Sequence, residues 1–178
     1  SDINVEIFKY PEDLNDRFLE KIPDIILFTV YVWNENISLK FANKIKAISP
    51  RTLIIFGGPN YSNVVSEQLE YLIENPCIDF FCRYEGEEAI CRLILEYLDN
   101  GMSIEKLKEQ EHPSFSYVDK GQLVTGPLQP RIGVRSSQSD PFFTCLDDIP
   151  SPYLNGMFDK FYDNELFPLI ETNRGCPF

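Results

Sequence analysis

The chain has 178 residues, 43% of them hydrophobic, and a formal net charge of −12 at pH 7. This charge argues against a nucleic-acid partner, because binding to phosphate backbones needs clustered Lys and Arg. The longest apolar run, residues 25–32, is the size of a strand and far shorter than the ~20 residues of a membrane span. The length suits one α/β domain with its own core and an appendage.

The sequence contains five cysteines, an odd number. Cys77, Cys82 and Cys91 fall within or beside strand and helix patterns and have no C-x-x-C spacing. We interpret them as small buried side chains rather than as metal ligands. Reduced cysteines favour a cytoplasmic protein.

Two periodicities alternate through the first hundred residues. A continuous apolar run, such as residues 25–30, is typical of a strand covered on both faces. Between such runs, apolar side chains recur at helical spacing. We predict strands over residues 3–8, 25–30, 52–56 and 78–82, and helices over residues 12–21, 37–48, 65–73 and 90–98.

These repeats predict an α/β fold with an open, mostly parallel sheet and helices on both faces. Asn34 or Asn36 can cap the second helix, and Gly101 can end the last one. The apolar stripe of the second helix comprises Ile37, Phe41, Ile45 and Ile48.

The pattern changes after Gly101. Residues 104–108 resemble a single helical turn. Residues 114–118 and 122–125, joined by Asp119-Lys120-Gly121, predict a β-hairpin. Prolines, serines and glycines then dominate residues 127–152, which indicates a linker.

A new strand is predicted over residues 167–172, just before Gly175-Cys176-Pro177. We therefore expect three parts: an α/β domain over residues 1–102, a hairpin and linker over residues 103–166, and the start of a further domain over residues 167–178.

Ligands of open α/β sheets bind in loops beyond the carboxyl ends of the strands. In this chain those loops are residues 31–34, 57–61 and 83–88. Topology alone does not say which ligand they would hold.

The segment Ile170-Glu171-Thr172-Asn173-Arg174-Gly175-Cys176-Pro177-Phe178 resembles the start of a radical S-adenosylmethionine barrel. In that family the motif continues as C-x-x-x-C-x-x-C, whose three thiolates hold a 4Fe-4S cluster with one iron open to S-adenosylmethionine. Cys176 is the one motif cysteine present. The resemblance therefore implies that the cluster and S-adenosylmethionine belong to a longer parent protein, and that this chain is inactive by itself.

Three loop motifs and one linker motif are similar to the cobalamin-binding domain that precedes the barrel in one branch of that superfamily. The branch includes methyltransferase-like proteins and proteins like the Mg-protoporphyrin monomethyl ester cyclase. Order and spacing agree over about residues 3–178. The motifs are Tyr31-Val32-Trp33-Asn34, Gly57-Gly58-Pro59-Asn60, Tyr84-Glu85-Gly86-Glu87-Glu88, and Leu146-Asp147-Asp148-Ile149-Pro150-Ser151-Pro152-Tyr153-Leu154.

The loop chemistry is compatible with this resemblance. Gly57 and Gly58 can adopt positive φ and bring bare backbone close to a bulky ligand. Trp33 offers a flat apolar surface, and the Asn34 amide both donates and accepts hydrogen bonds. The candidate cofactor-binding residues are Tyr31, Val32, Trp33, Asn34, Gly57, Gly58, Pro59, Asn60, Glu85, Gly86 and Glu87, and the candidate cluster ligand is Cys176.

Each loop residue also has a purely structural reading. Trp33 can simply pack, the two glycines can only form a turn, and Glu87 can serve as a helix cap. The motifs therefore leave the direct ligand contacts open.

Two departures from the wider cobalamin pattern stand out. The single histidine, His112, precedes Pro113 and belongs to no D-x-H-x-x-G motif. The resemblance therefore implies cobalamin bound base-off without a histidine ligand. The family's domain also begins with a strand and helix before the strand predicted at residues 3–8, and we expect this first strand to be missing here.

The leading hypothesis is a cofactor module that positions cobalamin over a barrel of the same parent chain, for methyl transfer or radical rearrangement of a small-molecule substrate. The alternative is a flavodoxin-like cap that binds no cobalamin, docks on the barrel and shapes substrate access.

Three other classes find little support. A receiver domain needs an Asp where the second predicted strand ends in Thr29-Val30. Dinucleotide binding lacks a G-x-G-x-x-G after any strand, and hydrolysis lacks a Ser or Cys paired with a base.

Overall fold

A computed structural model describes residues 3–129, 146–163 and 165. The chain divides into two compact units, residues 1–131 and residues 132–178. The first contains five helices and five strands among its described residues. In chain order they are α1 (Pro11–Glu20), β1 (Ile25–Thr29), α2 (Glu35–Ile48), β2 (Leu53–Gly57), α3 (Val65–Glu74), β3 (Phe80–Cys82), α4 (Glu87–Asp99), α5 (Ile104–Leu107), β4 (Phe115–Asp119) and β5 (Gln122–Thr125).

One five-stranded sheet organises this unit, with the strands in the order β1-β2-β3-β4-β5. β1, β2 and β3 are parallel, whereas β4 runs antiparallel to β3 and pairs with β5 as a hairpin. The predicted hairpin is confirmed, and it extends the sheet. Its two-residue turn has positive φ at Lys120 and Gly121, as a tight hairpin connection requires.

Helices cover both faces of the sheet, which confirms the predicted fold class. On one face, Phe18 of α1, Ala42 and Ile45 of α2 and Leu72 of α3 pack with apolar side chains of the strands. On the other face, α4 and α5 pack over β2, β3 and β4. That second core includes Leu53, Ile55, Phe80, Cys82, Ala89, Leu93, Tyr97, Leu107, Phe115 and Tyr117.

The prediction of a strand over residues 3–8 is wrong. This segment joins no sheet in the structure, and Ile3 and Val5 are exposed. Instead, Glu6 accepts hydrogen bonds from Arg17 of α1 at 2.8 Å. A strand needs a neighbouring ladder to satisfy its backbone, and this segment is held by a side-chain ion pair instead.

The prediction that residues 25–30 are covered on both faces is also wrong in part. β1 lies at the edge of the sheet and pairs with β2 alone among the described strands. On the face of α4 and α5, Leu27 is 46% exposed. An edge position is a property of the tertiary fold that an apolar run does not reveal.

The buried face of α2 is displaced from the predicted stripe. Ile45 is buried, but Ile37 and Ile48 are exposed, and the other buried side chains are the small Ser38 and Ala42. We attribute the shift to these small residues, because they let a helix lie close to the sheet while larger side chains flank the contact.

No helix within the described residues is long and apolar enough to span a membrane. α4 ends at Asp99 with Asn100 as its C-cap, and Gly101, with φ +70°, follows the cap and ends the helix as predicted.

The second unit contributes two short 3-10 helices, Leu146–Asp148 and Asp159–Phe161. Its described part contains a small aromatic group, in which the Tyr153 and Phe158 rings meet edge to face at 5.0 Å between centroids. The predicted strand over residues 167–172 and Cys176 lie outside the described residues. The predicted boundaries near residues 102 and 166 stay predictions.

Candidate functional site

The three predicted loops begin side by side at the carboxyl ends of the parallel strands. The strand register aligns Thr29 of β1 with Gly57 of β2, and Gly57 with Cys82 of β3. Because these strands are parallel, the chain leaves all three at their carboxyl ends. The loops that follow therefore form one rim. Nine of the eleven candidate cofactor-binding residues lie in these loops, while Gly57 is the last residue of β2 and Glu87 the first of α4.

The loop after β1 is closed by the side chain of Asn34. Its Oδ1 accepts a hydrogen bond from the backbone N–H of Tyr31 at 2.7 Å, and its Nδ2 donates to the carbonyl of Thr29 at 2.8 Å. Asn34 occupies the N-cap position of α2, but its side chain makes no capping bond there. Its donor and its acceptor are thus both engaged within the loop.

At the tip of this loop, two apolar residues face solvent. Val32 is 78% and Trp33 is 79% exposed. The Trp33 ring stacks on Tyr31 with 4.6 Å between centroids and 9° between planes. Exposed apolar side chains held in adjacent positions are typical of a contact surface for a ligand or partner.

The loop after β2 approaches the loop after β1 at its backbone. Gly58 has φ +113°, and a Cβ built there would lie 2.5 Å from the Val30 carbonyl oxygen. Gly57 does not have positive φ, so the prediction for the two glycines holds for Gly58 alone. The Val30 N–H also donates to the Gly57 carbonyl at 2.6 Å, which joins the two loops directly.

The end of the loop after β2 is anchored by side chains. Asn60 donates to the carboxylate of Glu35, the first residue of α2, at 2.8 Å. Tyr61 stacks on Phe81 with 3.8 Å between ring centroids. The Tyr61 hydroxyl is buried and faces the Ser116 side chain without a well-aligned hydrogen bond. Burial raises the pKa of Tyr61 to about 12, and Ser116 and Arg83 only partly offset this. Pro59, by contrast, is exposed.

The loop after β3 combines a partly buried cation with an unusual backbone conformation. Arg83 donates through its guanidinium to the Gly126 carbonyl, and burial lowers its pKa. Tyr84 has φ +60°, and its hydroxyl donates to Asn63 in the loop after β2 at 3.3 Å. This pair connects the second loop to the third.

The third loop then leads into α4. Gly86 is the N-cap residue, and Glu85 lies just before it. Glu87 and Glu88 occupy the first turn, where the helix dipole favours carboxylates. A Cβ at Gly86 would lie 2.9 Å from the tip of the flexible Ile90 side chain, which can move aside, and φ is −101°. Neither the space nor the backbone conformation therefore requires glycine at this position.

His112 lies away from these loops, in the core under α4 and α5. Its ring is buried, with Nδ1 2.9 Å from the Glu96 carboxylate and Nε2 bonded to the Leu107 carbonyl. Its neighbours therefore assign it to the packing of that face.

The sequence motifs identified the three loops but missed the residues that connect them. Glu35 bridges the first and second loops, and Tyr61 and Arg83 anchor the loop ends. An aromatic residue directly after Gly-Gly-Pro-Asn was the one available signal. The partners of Glu35 and Arg83 lie 25 and 43 residues away in sequence, beyond any local pattern.

An open, mostly parallel sheet with three connected loops at its carboxyl edge defines an α/β domain of the class that binds small ligands and cofactors. Within that class, the B12 binding domain family matches residues 1–94. The match covers more than half of the chain, and the chain belongs to this family.

Two curated relatives are similar over most of the chain. It is 28% identical over 173 residues to the cobalamin-dependent radical SAM methyltransferase TokK of Streptomyces tokunonensis, covering 94% of this chain and 22% of that protein. It is 29% identical over 164 residues to 2-(S-pantetheinyl)-carbapenam-3-carboxylate methyltransferase of Streptantibioticus cattleyicolor, covering 88% of this chain and 21% of that protein. The chain spans about a fifth of the length of these relatives.

Proposed function

We propose that this chain is a cobalamin-binding module and that the corrin lies against the three loops at the carboxyl edge of the sheet. The observation that carries the proposal is the exposed Trp33 ring, held flat against Tyr31 on the rim of a B12 binding domain. A flat aromatic surface of this kind suits the edge of a macrocycle.

Each loop would offer the cofactor a different kind of surface. Tyr31, Val32 and Trp33 supply apolar surface from the first loop. Beside it, the second loop would expose mainly backbone to the cofactor at Gly57, Gly58 and Pro59, since two of these residues lack a Cβ. The hydrogen bond from Asn60 to Glu35 fixes this backbone segment to α2.

We propose that the third loop also borders the cofactor, and that no histidine of the three loops ligates its cobalt. Glu85, Gly86 and Glu87 border the loop that starts α4. His112 is buried against Glu96 and Leu107, so it would not ligate the cobalt. The family resemblance implies that the cofactor would be held base-off.

We propose further that the module works within a longer protein that also contains a radical S-adenosylmethionine barrel. The names of both relatives describe methyltransferases, which favours methyl transfer to a small molecule over radical rearrangement. Cobalamin would supply a cobalt centre that carries a methyl group.

Cys176 would be the first thiolate of the 4Fe-4S cluster in that longer protein. The other three cysteines named above, Cys77, Cys82 and Cys91, are free thiols, which fits a reducing, cytoplasmic compartment.

Titration of the 178-residue chain with hydroxocobalamin tests the binding proposal. We expect a shift in the visible spectrum and retention of the cofactor on desalting. Trp33→Ala should weaken binding by about tenfold, because its exposed ring contributes contact area and little to folding. Leu19→Ala, which removes another apolar side chain of 77% exposure on α1, should bind as the wild type does.

One observation favours the cap domain as a second candidate. The side-chain amides of Asn34 and Asn60 are already bonded within the protein, which leaves fewer polar groups on the loops for a ligand. A wild-type chain that gives no spectral shift and loses the cofactor on desalting would favour the cap and overturn cobalamin binding.

A further inference from the structure

The turn that carries Trp33 is organised around one side chain. The N–H of Tyr31 donates to Asn34 Oδ1, while the Tyr31 carbonyl accepts from the backbone N–H groups of Asn34 and Glu35, both at 3.1 Å. Asn34 Nδ2 bonds back to Thr29, the last residue of β1. The turn is thereby tied to the strand before it and to the helix after it.

This arrangement leaves the two intervening side chains outside. Val32 and Trp33 lie between the bonded residues and point their apolar surface at solvent. Among the described residues, the aromatic ring that stacks on Trp33 is that of Tyr31. Tyr31 is also the residue whose backbone N–H donates to Asn34. The position of the indole therefore depends on Asn34 through Tyr31.

We infer that Asn34 is a positioning residue, which holds the Tyr31–Trp33 pair in its binding orientation before the cofactor arrives. The inference rests on the proposed binding of cobalamin at these loops. A surface that is ordered in advance loses less conformational entropy on binding, so the same contacts give higher affinity. Asn34 would act on the ligand through the Tyr31–Trp33 pair, since its amide bonds the Tyr31 N–H and the Thr29 carbonyl.

The sequence contains one tryptophan and nine tyrosines, so fluorescence excited at the long-wavelength end of the tryptophan band, where tyrosine does not absorb, reports on Trp33 alone. We propose time-resolved fluorescence anisotropy of the chain without cofactor, followed by fluorescence quenching on titration with hydroxocobalamin. The variants are Asn34→Ala, which removes both bonds, and Asn34→Asp, which keeps an acceptor for Tyr31 N–H but loses the donor to Thr29. Asn36→Ala, an exposed asparagine two positions away, is the matched control.

We expect the wild-type indole to tumble with the whole protein and Asn34→Ala to add a fast, subnanosecond component. Its dissociation constant for hydroxocobalamin should rise at least about tenfold, equivalent to ~1.4 kcal/mol, with Asn34→Asp in between. Asn36→Ala should match the wild type in both measurements. Circular dichroism identifies any variant that has unfolded, and Asn34→Asp then decides between the outcomes.

Two results overturn the inference. One is an Asn34→Ala chain whose indole stays as rigid as in the wild type. The other is a mobile indole with unchanged affinity, which would make the turn irrelevant to binding. Failure of the wild type itself to bind cobalamin would instead refute the proposed function, while the anisotropy would still decide whether Asn34 holds the turn.

Discussion

A Cβ atom at Gly58 would lie 2.5 Å from the carbonyl oxygen of Val30, closer than non-bonded atoms can approach. Val30 is fully buried, and its own N–H is bonded to Gly57. The backbones of the first two loops therefore fit together only if residue 58 has no side chain. The contact sets the relative position of the loops that carry Trp33 and Asn60.

Substitution of Gly58 by alanine should therefore be costly. We expect Gly58→Ala to lower the free energy of unfolding by ~3 kcal/mol or more, since it adds a clash to the strain of positive φ. Gly101→Ala is the control, because φ is +70° there but nothing lies within 4 Å of the added atom. It should cost only about 1 kcal/mol. Equal losses for the two variants in urea denaturation would contradict the role of the Val30 contact.

Local patterns in the sequence predicted most of the elements, because strand and helix periodicities depend on neighbours a few residues apart. They failed where the answer depends on tertiary contacts. Nothing in the run of residues 25–30 reveals that β1 lies at an edge and leaves Leu27 exposed. The Gly57-Gly58 pair likewise does not reveal which glycine needs positive φ, since the reason is the position of Val30.

In the candidate site, too, the sequence predicted what depends on local pattern and topology but not what depends on individual contacts. Loop positions followed from the topology, and all three loops lie at the predicted edge. The function of Asn34 did not follow, because its amide is used by Thr29 and Tyr31 of its own loop. An asparagine that closes a turn and one that faces a ligand look alike in sequence.

The buried ion pair at the amino ends of the strands should give a measurable pH dependence. Asp79 accepts hydrogen bonds from the Ile54 N–H and from Lys46 Nζ, both at 2.7 Å. Burial raises the pKa of Asp79, and Lys46 only partly offsets this. The folded state therefore holds the Asp79 proton more tightly than the unfolded state, so protonation of this group favours folding.

The stability contribution of Asp79 should accordingly increase as the pH falls from neutral to the ordinary aspartate range, about pH 4. Wild type should gain stability relative to Asp79→Asn across this window, measured by urea denaturation at several pH values. Asp16→Asn, at an exposed position on α1, should run parallel to the wild type. Parallel profiles for wild type and Asp79→Asn would contradict the assigned pKa direction.

The cysteines should differ in reactivity. Burial, together with the nearby Glu87 carboxylate, raises the pKa of Cys82 to about 12, so only about 1 in 10,000 of these thiols is ionised at pH 8. Cys91 is exposed on α4, contrary to the buried position expected from the sequence. Burial and the Glu87 and Glu88 carboxylates raise the pKa of Cys91 too, so its advantage over Cys82 is mainly its accessibility. Iodoacetamide at pH 8 should therefore alkylate Cys91 and spare Cys82, as read from their peptides by mass spectrometry. Urea should remove the difference, and comparable labelling of both sites in the native chain would refute the prediction.

The hydroxyl of Tyr61 should be dispensable for folding. It is buried next to the Ser116 side chain without a well-aligned hydrogen bond, whereas the Tyr117 hydroxyl donates to the Gln110 carbonyl. Tyr61→Phe keeps the ring stacked on Phe81 and removes only an unsatisfied polar atom, so stability should be unchanged or rise by up to ~1 kcal/mol. Tyr117→Phe should cost about 1 kcal/mol, because it removes the hydrogen bond to the Gln110 carbonyl. A loss for Tyr61→Phe equal to that of Tyr117→Phe in urea denaturation would mean that the Tyr61 hydroxyl makes a full hydrogen bond to Ser116, and would contradict the prediction.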